Sequence, residues 1–153
     1  MTTEPVAPRF PSRQPTVLLR EILDVTDEFS AHLGRELTVN PTDLQAMQHL
    51  ITSGPLSPTE LARRLGISTA AVTAVVDRLV AVEHVSREKH PTDRRGVLVV
   101  PAPQSIARAM GTLMPMIMGI DAVLDEFSDD EQQTIAAYLE RVLEVYRAHL
   151  PEE

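Results

Sequence analysis

The spacing of small and apolar residues around Gly66 constrains the fold of this chain more than any other feature. Glycine readily adopts the positive φ angle that a tight turn between two helices requires. Ala62, four residues earlier, has a side chain small enough for the two helices to pack closely. Val72 and Val75, six and nine residues after the glycine, supply the buried side of the second helix. Because all four requirements are met in one register, the sequence predicts a helix-turn-helix with its turn at Gly66.

Both helices of this unit have start signals. The stretch Ser57-Pro58-Thr59-Glu60 combines a capping serine, a proline at the first helical position and a glutamate that completes a capping box. Ser68 is placed to cap the second helix. The predicted buried stripe of that helix consists of Val72, Val75, Val76 and Leu79.

The outward face of the second helix carries small or hydroxyl-bearing side chains and one arginine. Such side chains let a helix approach base edges closely, and the N–H groups at a helix N-terminus can bind phosphate. We therefore predict DNA contacts from Ser68, Thr69, Ala70, Thr73, Ala74 and Arg78. The alternative interpretation is a solvated helix face with modest side chains.

A β-hairpin is predicted directly after the second helix. Residues 85–90 and 96–100 have a β-like pattern, and a turn signal at Pro91-Thr92-Asp93 separates them. A hairpin in this place makes the unit a winged helix. Arg94 and Arg95 at its tip suit a narrow minor groove, and we expect Asp93 to pair with the guanidinium of Arg95. Asp93, Arg94 and Arg95 are therefore the candidate DNA-binding residues of the wing.

Charge is distributed unevenly along the chain, whose formal net charge is -8. Residues 57–100 contain seven basic and five acidic side chains, whereas the remainder contains seven basic and seventeen acidic ones. This asymmetry favours a basic face for a polyanion. The candidate phosphate contacts are Arg63, Arg64, Arg87 and Lys89. The alternative is that these charges only keep a hairpin edge soluble.

Further helices flank this unit on both sides. Apolar residues recur at helical spacing from Thr16 up to Gly34, which we expect to end the first helix, and Asn40 is placed to cap a second one. Helical spacing returns after the hairpin, and a capping box at residues 128–131 opens the last helix. The predicted fold is mainly α with a small β-hairpin wing. Its predicted parts are a Pro-rich arm (1–15), an N-terminal dimerisation helix (16–36), a winged helix-turn-helix domain (37–102) and C-terminal dimerisation helices (103–150).

The apolar stripes of the outer helices are too long to be buried within one small winged helix. They predict a surface through which the chain associates, and a two-fold dimer is the simplest assembly that buries it. The alternative is that these helices pack against one another within one chain. Methionines cluster around Pro115 and form a candidate ligand pocket with Met110, Met114 and Met118. The alternative interpretation of this cluster is ordinary core packing.

Several classes of function lack sequence support. The chain has no cysteine, and its five histidines include no pair at i, i+4 spacing, so we expect no disulfide and no metal site. It has no Gly-rich phosphate loop and no nucleophile elbow, so we expect no catalytic residue, no cofactor and no enzymatic activity. No uninterrupted apolar run approaches ~18 residues and the N-terminus lacks an apolar signal core, so we expect a cytoplasmic protein without a membrane partner.

Two segments resemble the MarR family of transcriptional regulators. LSPTELARRLGISTAAVTAVVDRLVAVEHVSR resembles its helix-turn-helix, and PTDRRGVLV resembles its wing, including the Asp-x-Arg at Asp93 and Arg95. The similarity extends over residues 16 to 150. It implies an obligate homodimer on a pseudo-palindromic DNA site, with recognition helices in the major groove and wings in the minor groove. It also implies release of DNA by a small ligand, often an aromatic or phenolic acid. The chain departs from the family at Glu83, where glycine is common, and after the wing at Pro101, Ala102 and Ser105.

Two functions therefore remain in view. The first is a dimeric, sequence-specific, DNA-binding transcriptional regulator that acts as a repressor released by a small ligand. The second is a winged-helix protein-interaction module without DNA binding, which the small positive excess and the neutral recognition face allow. The adjacent arginines at the wing tip favour the first, because a protein-binding wing does not need two neighbouring guanidiniums.

Overall fold

The computed structural model describes residues 13–150 and confirms the predicted fold class. The helices and strands are α1 (Gln14–Leu37), α2 (Pro41–Ser53), α3 (Pro58–Leu65), α4 (Thr69–Ala81), β1 (Val85–Lys89), β2 (Val97–Pro101), α5 (Pro103–Val123), a 3-10 turn (Leu124–Glu126) and α6 (Asp129–Ala148). The chain divides into two compact units, with the boundary in the sequence between Ala109 and Met110. Of the predicted N-terminal arm, residues 1–12 lie outside the described residues, and Gln14 and Pro15 already belong to α1.

The first helix does not end at Gly34, so that prediction is wrong. Instead α1 continues to Leu37, and Thr38 takes the left-handed conformation (φ 58°) that closes it. The N–H groups of Thr38 and Val39 donate to the carbonyls of Arg35 and Gly34, at 3.1 and 2.9 Å. A Cβ atom at Gly34 would lie 3.2 Å from the carbonyl oxygen of Val39. Gly34 therefore allows the backbone at Val39 to pack closely against α1, and it does not mark the end of the helix.

The helix-turn-helix forms as predicted. Gly66 is left-handed (φ 64°, ψ 33°), and the N–H of Ile67 donates to the carbonyl of Ala62 at 3.1 Å. The Oγ atoms of Ser57 and Ser68 accept from the backbone N–H groups of Glu60 and Ala71, and so cap α3 and α4. The buried face of α4 consists of the four predicted residues, Val72, Val75, Val76 and Leu79. They pack in one core with apolar side chains of α2, α3 and both strands.

The hairpin contains one strand contact that the sequence did not indicate. Strands β1 and β2 pair antiparallel, from Val85 opposite Pro101 to Lys89 opposite Val97. Leu56, just before α3, exchanges two backbone hydrogen bonds with Val99, at 3.2 and 2.8 Å. This bridge fastens the base of the hairpin to the start of the helix-turn-helix.

A buried imidazole joins three segments of the first unit. The Nε2 atom of His84 lies 2.6 Å from the carbonyl oxygen of Leu37, and its Nδ1 atom lies 2.8 Å from the Oγ of Ser105. A carbonyl only accepts hydrogen bonds, so Nε2 carries the proton and Nδ1 accepts from the serine hydroxyl in the neutral ring. His84 therefore connects the end of α1, the start of β1 and the first turn of α5.

The second unit contains the rest of α5, the 3-10 turn and α6. The predicted capping box is complete: the Oγ of Ser128 accepts from the N–H of Glu131, and the Glu131 carboxylate accepts from the N–H of Ser128. The hydrogen bonds that the backbone N–H and then the hydroxyl of Ser128 donate to the Glu131 carboxylate lower its pKa. In residues 110–150 no side chain is buried in the single chain. The exposed apolar residues include Ile117, Ile120, Val123, Leu139, Leu143 and Tyr146.

The helical stretch from Pro103 to Glu126 is long and apolar enough to cross a membrane, by length and composition alone. The expectation from uninterrupted apolar runs did not foresee this, because polar residues are interspersed along the stretch. A helix that associates with another copy of the chain has the same length and composition.

Glu83 is the residue at which a glycine substitution should stabilise the fold. It closes α4 in the left-handed conformation (φ 58°), with its N–H bonded to the carbonyl of Val80 at 3.0 Å. A side chain with a Cβ atom costs about 1 kcal/mol in this conformation. We expect Glu83→Gly to raise the free energy of unfolding by about that amount, measured by chemical denaturation. Glu83→Ala, which removes the charge but keeps the Cβ atom, is the control; an equal gain in both variants would contradict the explanation.

Candidate nucleic-acid interface

The outward face of α4 is exposed and uncharged over its first two turns. Ser68, Thr69, Ala70, Thr73 and Ala74 are all exposed. The hydroxyl of Thr73 donates to the carbonyl of Thr69 at 2.9 Å, which leaves its oxygen able to accept. No long side chain blocks this face, so a groove wall can approach the helix backbone.

The two arginines of α3 bind a carboxylate of their own helix. Arg63 donates to both Glu60 oxygens at 2.9 and 3.0 Å, and Arg64 donates to Oε1 at 2.8 Å. Arg64 also reaches the Oγ of Ser53. Only half of the predicted capping box at Ser57 therefore forms, because the Glu60 side chain is used here. The hydrogen bonds from Arg63 and then Arg64 lower the pKa of Glu60 to about 2.

Two further arginines of the predicted interface form ion pairs with distant residues. The Nη2 of Arg87 on β1 donates to Oδ1 of Asp77 on α4, at 2.5 Å, and ties the hairpin to α4. Arg78 on α4 donates through Nε and Nη2 to the two oxygens of Asp43 on α2, at 2.9 and 2.6 Å. This pair raises the pKa of Arg78. Neither partner was predicted from the sequence.

The wing tip is shaped by two side chains that bond to the backbone. Nδ1 of His90 accepts from the N–H groups of Thr92 and Asp93, at 3.3 and 3.2 Å. The Asp93 carboxylate accepts from the backbone N–H of Arg95 at 2.9 Å. The expected pairing of Asp93 with the Arg95 guanidinium is therefore corrected to a bond with its backbone. A Cβ at Gly96 would lie 2.9 Å from the Cβ of His90, so only glycine fits the tip unchanged.

Three basic side chains of the predicted interface have no carboxylate partner within residues 13–150: Lys89, Arg94 and Arg95. All three are exposed and lie in the hairpin. By contrast, Arg63, Arg64, Arg78 and Arg87 are held by carboxylates. An anion would meet the hairpin cations without first displacing an internal partner, so the wing carries the available positive charge.

Clefts of moderate size are found in both units of the part of the chain that the structure describes. One, of about 460 Å³, lies along α1 and α2 and is lined by residues such as Ser30, Gly34 and Gln48. The other lies in the second unit and includes Leu124, Gln132 and Leu139. Neither is lined by the predicted pocket methionines Met110, Met114 and Met118. Within residues 13–150, no cluster of three or more potential ligands is arranged to hold a metal ion.

Comparison with known proteins identifies the family. Residues 37–96 match the profile of the MarR family. The chain is 31% identical to the HTH-type transcriptional regulator YcgE of Bacillus subtilis over 133 residues, which cover 87% of this chain and 86% of the relative. The chain belongs to the MarR family.

Two further comparisons bear on this MarR protein. It is 33% identical to the HTH-type transcriptional repressor YetL of Bacillus subtilis over 84 residues, 55% of this chain and 50% of the relative. It shares its fold with a MepR variant from S. aureus solved with a bound oligodeoxyribonucleotide, with a TM-score of 0.61 and 14% identity over 88% of this chain and 99% of the other. The predicted family is confirmed, and so is the expectation of a non-enzymatic protein, because MarR regulators are non-enzymatic.

The ion pair of Glu60 predicts how stability depends on pH. The pKa of this carboxyl is lowered in the folded state from 4.5 to about 2. A lowered pKa contributes stability above the unfolded-state value that is lost as the pH falls through the folded-state value. We expect the stability difference between the wild type and Glu60→Gln to shrink as the pH falls from about 5 to about 2. Urea denaturation at several pH values measures it. Glu88→Gln, at an exposed position of β1, is the control, and a pH-independent difference for Glu60→Gln would refute the explanation.

Proposed function

We propose that this MarR protein is a homodimeric, sequence-specific transcriptional repressor that binds double-stranded DNA in the cytoplasm. The observation that carries the proposal is the combination of an exposed, short-chained face on α4 with two guanidiniums at the wing tip that have no carboxylate partner within residues 13–150. The first suits a major groove and the second a minor groove. Two of the similar proteins support the proposal, since YetL is a transcriptional repressor and the MepR structure contains an oligodeoxyribonucleotide.

The recognition helix reads base edges in this proposal. Its short side chains at Ser68, Thr69, Ala70, Thr73 and Ala74 contact bases or nearby phosphates, and Arg78 contacts the duplex from the flank of the helix. Arg94 and Arg95 enter the minor groove, with Asp93 fixing the backbone between them. Arg63, Arg64, Arg87 and Lys89 contact phosphates, and the first three do so from within their ion pairs.

A protein-interaction module without DNA binding is the second candidate. The uncharged α4 face favours it, because such a face also suits a protein partner. The wing favours DNA. Its two adjacent exposed guanidiniums have no carboxylate partner among the residues that the structure describes, and such groups are costly to bury against a protein and well suited to a polyanion.

Dimerisation follows from the apolar surface of the second unit. Large side chains such as Ile120, Leu143 and Tyr146 are half exposed or more in the single chain. A second copy of the chain covers such a surface, and its two-fold axis matches a pseudo-palindromic DNA site. We further propose that a small aromatic or phenolic ligand releases the DNA, with Met110, Met114 and Met118 at its binding site. Methionines line adaptable apolar pockets and support this assignment.

Loss of Arg95 should weaken DNA binding. We expect Arg95→Ala to cost about 1–3 kcal/mol of binding free energy and to reduce the slope of log affinity against log salt by about 1. Fluorescence anisotropy of labelled promoter DNA at several salt concentrations measures both quantities. Arg141→Ala, on exposed α6, is the control. Unchanged affinity and slope for Arg95→Ala would remove the wing from the interface, whereas absence of DNA binding by the wild type even at low salt would favour the protein-interaction module.

A charge placed on α6 should separate the dimer. We expect the wild type to sediment at twice the 16.9 kDa of one chain, and Leu143→Glu to shift it towards the monomer, because a buried unpaired carboxylate is costly. Gln133→Glu introduces the same charge at an exposed polar position and is the control. A wild type that remains monomeric at micromolar concentration would contradict the proposal.

A further inference from the structure

Asp43 is a buried carboxylate outside the predicted interface. Its side chain is only 5% exposed. It lies in the first turn of α2, where the helix dipole favours a negative charge, and its backbone N–H donates to Oδ1 of Asn40 at 2.9 Å. Nδ2 of Asn40 returns a bond to Oδ2 of Asp43 at 3.1 Å. The carboxylate is therefore held in one orientation before any contact with α4 is considered.

Arg78 completes this arrangement and remains half exposed. Its Nε and Nη2 atoms bond to the two carboxylate oxygens, while 49% of its side chain is accessible. The whole Nη1 group lies outside this fork, so its N–H groups remain for another acceptor. Along α4, Arg78 lies at the border between the buried stripe and the exposed face.

The two hydrogen bonds between Arg78 and Asp43 fix the rotation of α4 about its axis, which apolar packing alone leaves adjustable. Burial of Val72, Val75, Val76 and Leu79 holds α4 on the core, but apolar burial is non-directional. The planar fork between Arg78 and Asp43 is directional. It limits both the rotation of α4 about its axis and the direction of the free Nη1 group.

We propose that Asp43 is a positioning residue for DNA reading, which acts through Arg78 to set the rotation of α4 and to hold the free guanidinium edge towards the duplex. The inference rests on the proposed DNA-binding function. It assigns Asp43 no contact with DNA of its own.

Electrostatics and positioning predict opposite effects for Asp43→Asn. The substitution keeps the size of the side chain but removes one negative charge near the interface. If charge alone mattered, it would tighten binding to every DNA. If Asp43 positions α4 and Arg78, it weakens binding to the preferred sequence and leaves binding to other DNA unchanged or tighter.

The test uses the full chain and a duplex that the wild type selects from a random DNA pool, with a scrambled duplex for comparison. The measured quantity is the ratio of the two affinities.

We expect Asp43→Asn and Arg78→Lys each to lower this ratio about tenfold. In Arg78→Lys the lysine keeps the positive charge but cannot form the two-bond fork. We expect the double variant to lower it no further. Glu83→Gln removes a neighbouring exposed carboxylate and should leave the ratio unchanged. Circular dichroism verifies that each variant is folded, and Asp43→Glu, which keeps the charge but displaces the carboxylate, replaces Asp43→Asn if that variant does not fold.

Each outcome decides a different point. An unchanged ratio in both single variants, or two effects that simply add, would overturn the positioning role while the DNA-binding function stands. Failure of the wild type to enrich any sequence from the pool would overturn the proposed function and this inference together.

Discussion

The close approach of α3 and α4 across the left-handed turn at Gly66 is the constraint on which the rest of the first unit depends. It places the apolar stripe of α4 on the core formed with α2, α3 and the two strands. Once that stripe is buried, the opposite side of α4 must face outward, and its short side chains become the accessible face. The hairpin then starts from the end of α4, and its base is fastened by the bridge between Leu56 and Val99.

The ion pairs divide the basic residues of segment 57–100 into two groups. Arg63, Arg64, Arg78 and Arg87 are engaged with the carboxylates of Glu60, Asp43 and Asp77. Those at the wing tip have no carboxylate partner in the part of the chain that the structure describes. A chain with a net charge of -8 can thus direct its attraction for a polyanion to one small region, because the surrounding carboxylates neutralise the remaining arginines.

Features that depend on neighbours in the sequence were predicted well. The caps at Ser57, Ser68 and Ser128, the turn at Gly66 and the buried stripe of α4 all follow from spacings within one or two helical turns. The prediction that α1 ends at Gly34 was wrong because glycine occurs both at helix ends and where two segments pack closely. Only the position of Val39 in the structure distinguishes these two cases. The pair of Asp43 and Arg78 spans 35 residues, and no local pattern records such a contact. The predicted bond of Asp93 to the Arg95 guanidinium was wrong, because a short carboxylate bonds more easily to a nearby backbone N–H than to the end of a long side chain.

The bonds of His84 to Leu37 and Ser105 have a consequence for the evolution of the chain. An apolar residue at position 84 would leave the Leu37 carbonyl without its imidazole donor and the Ser105 hydroxyl without its imidazole acceptor. A substitution at position 84 therefore changes which side chain is satisfied at position 105, although 21 residues separate them. In lineages that keep histidine at 84, a hydroxyl at 105 should be retained, and where the histidine is lost the serine should drift.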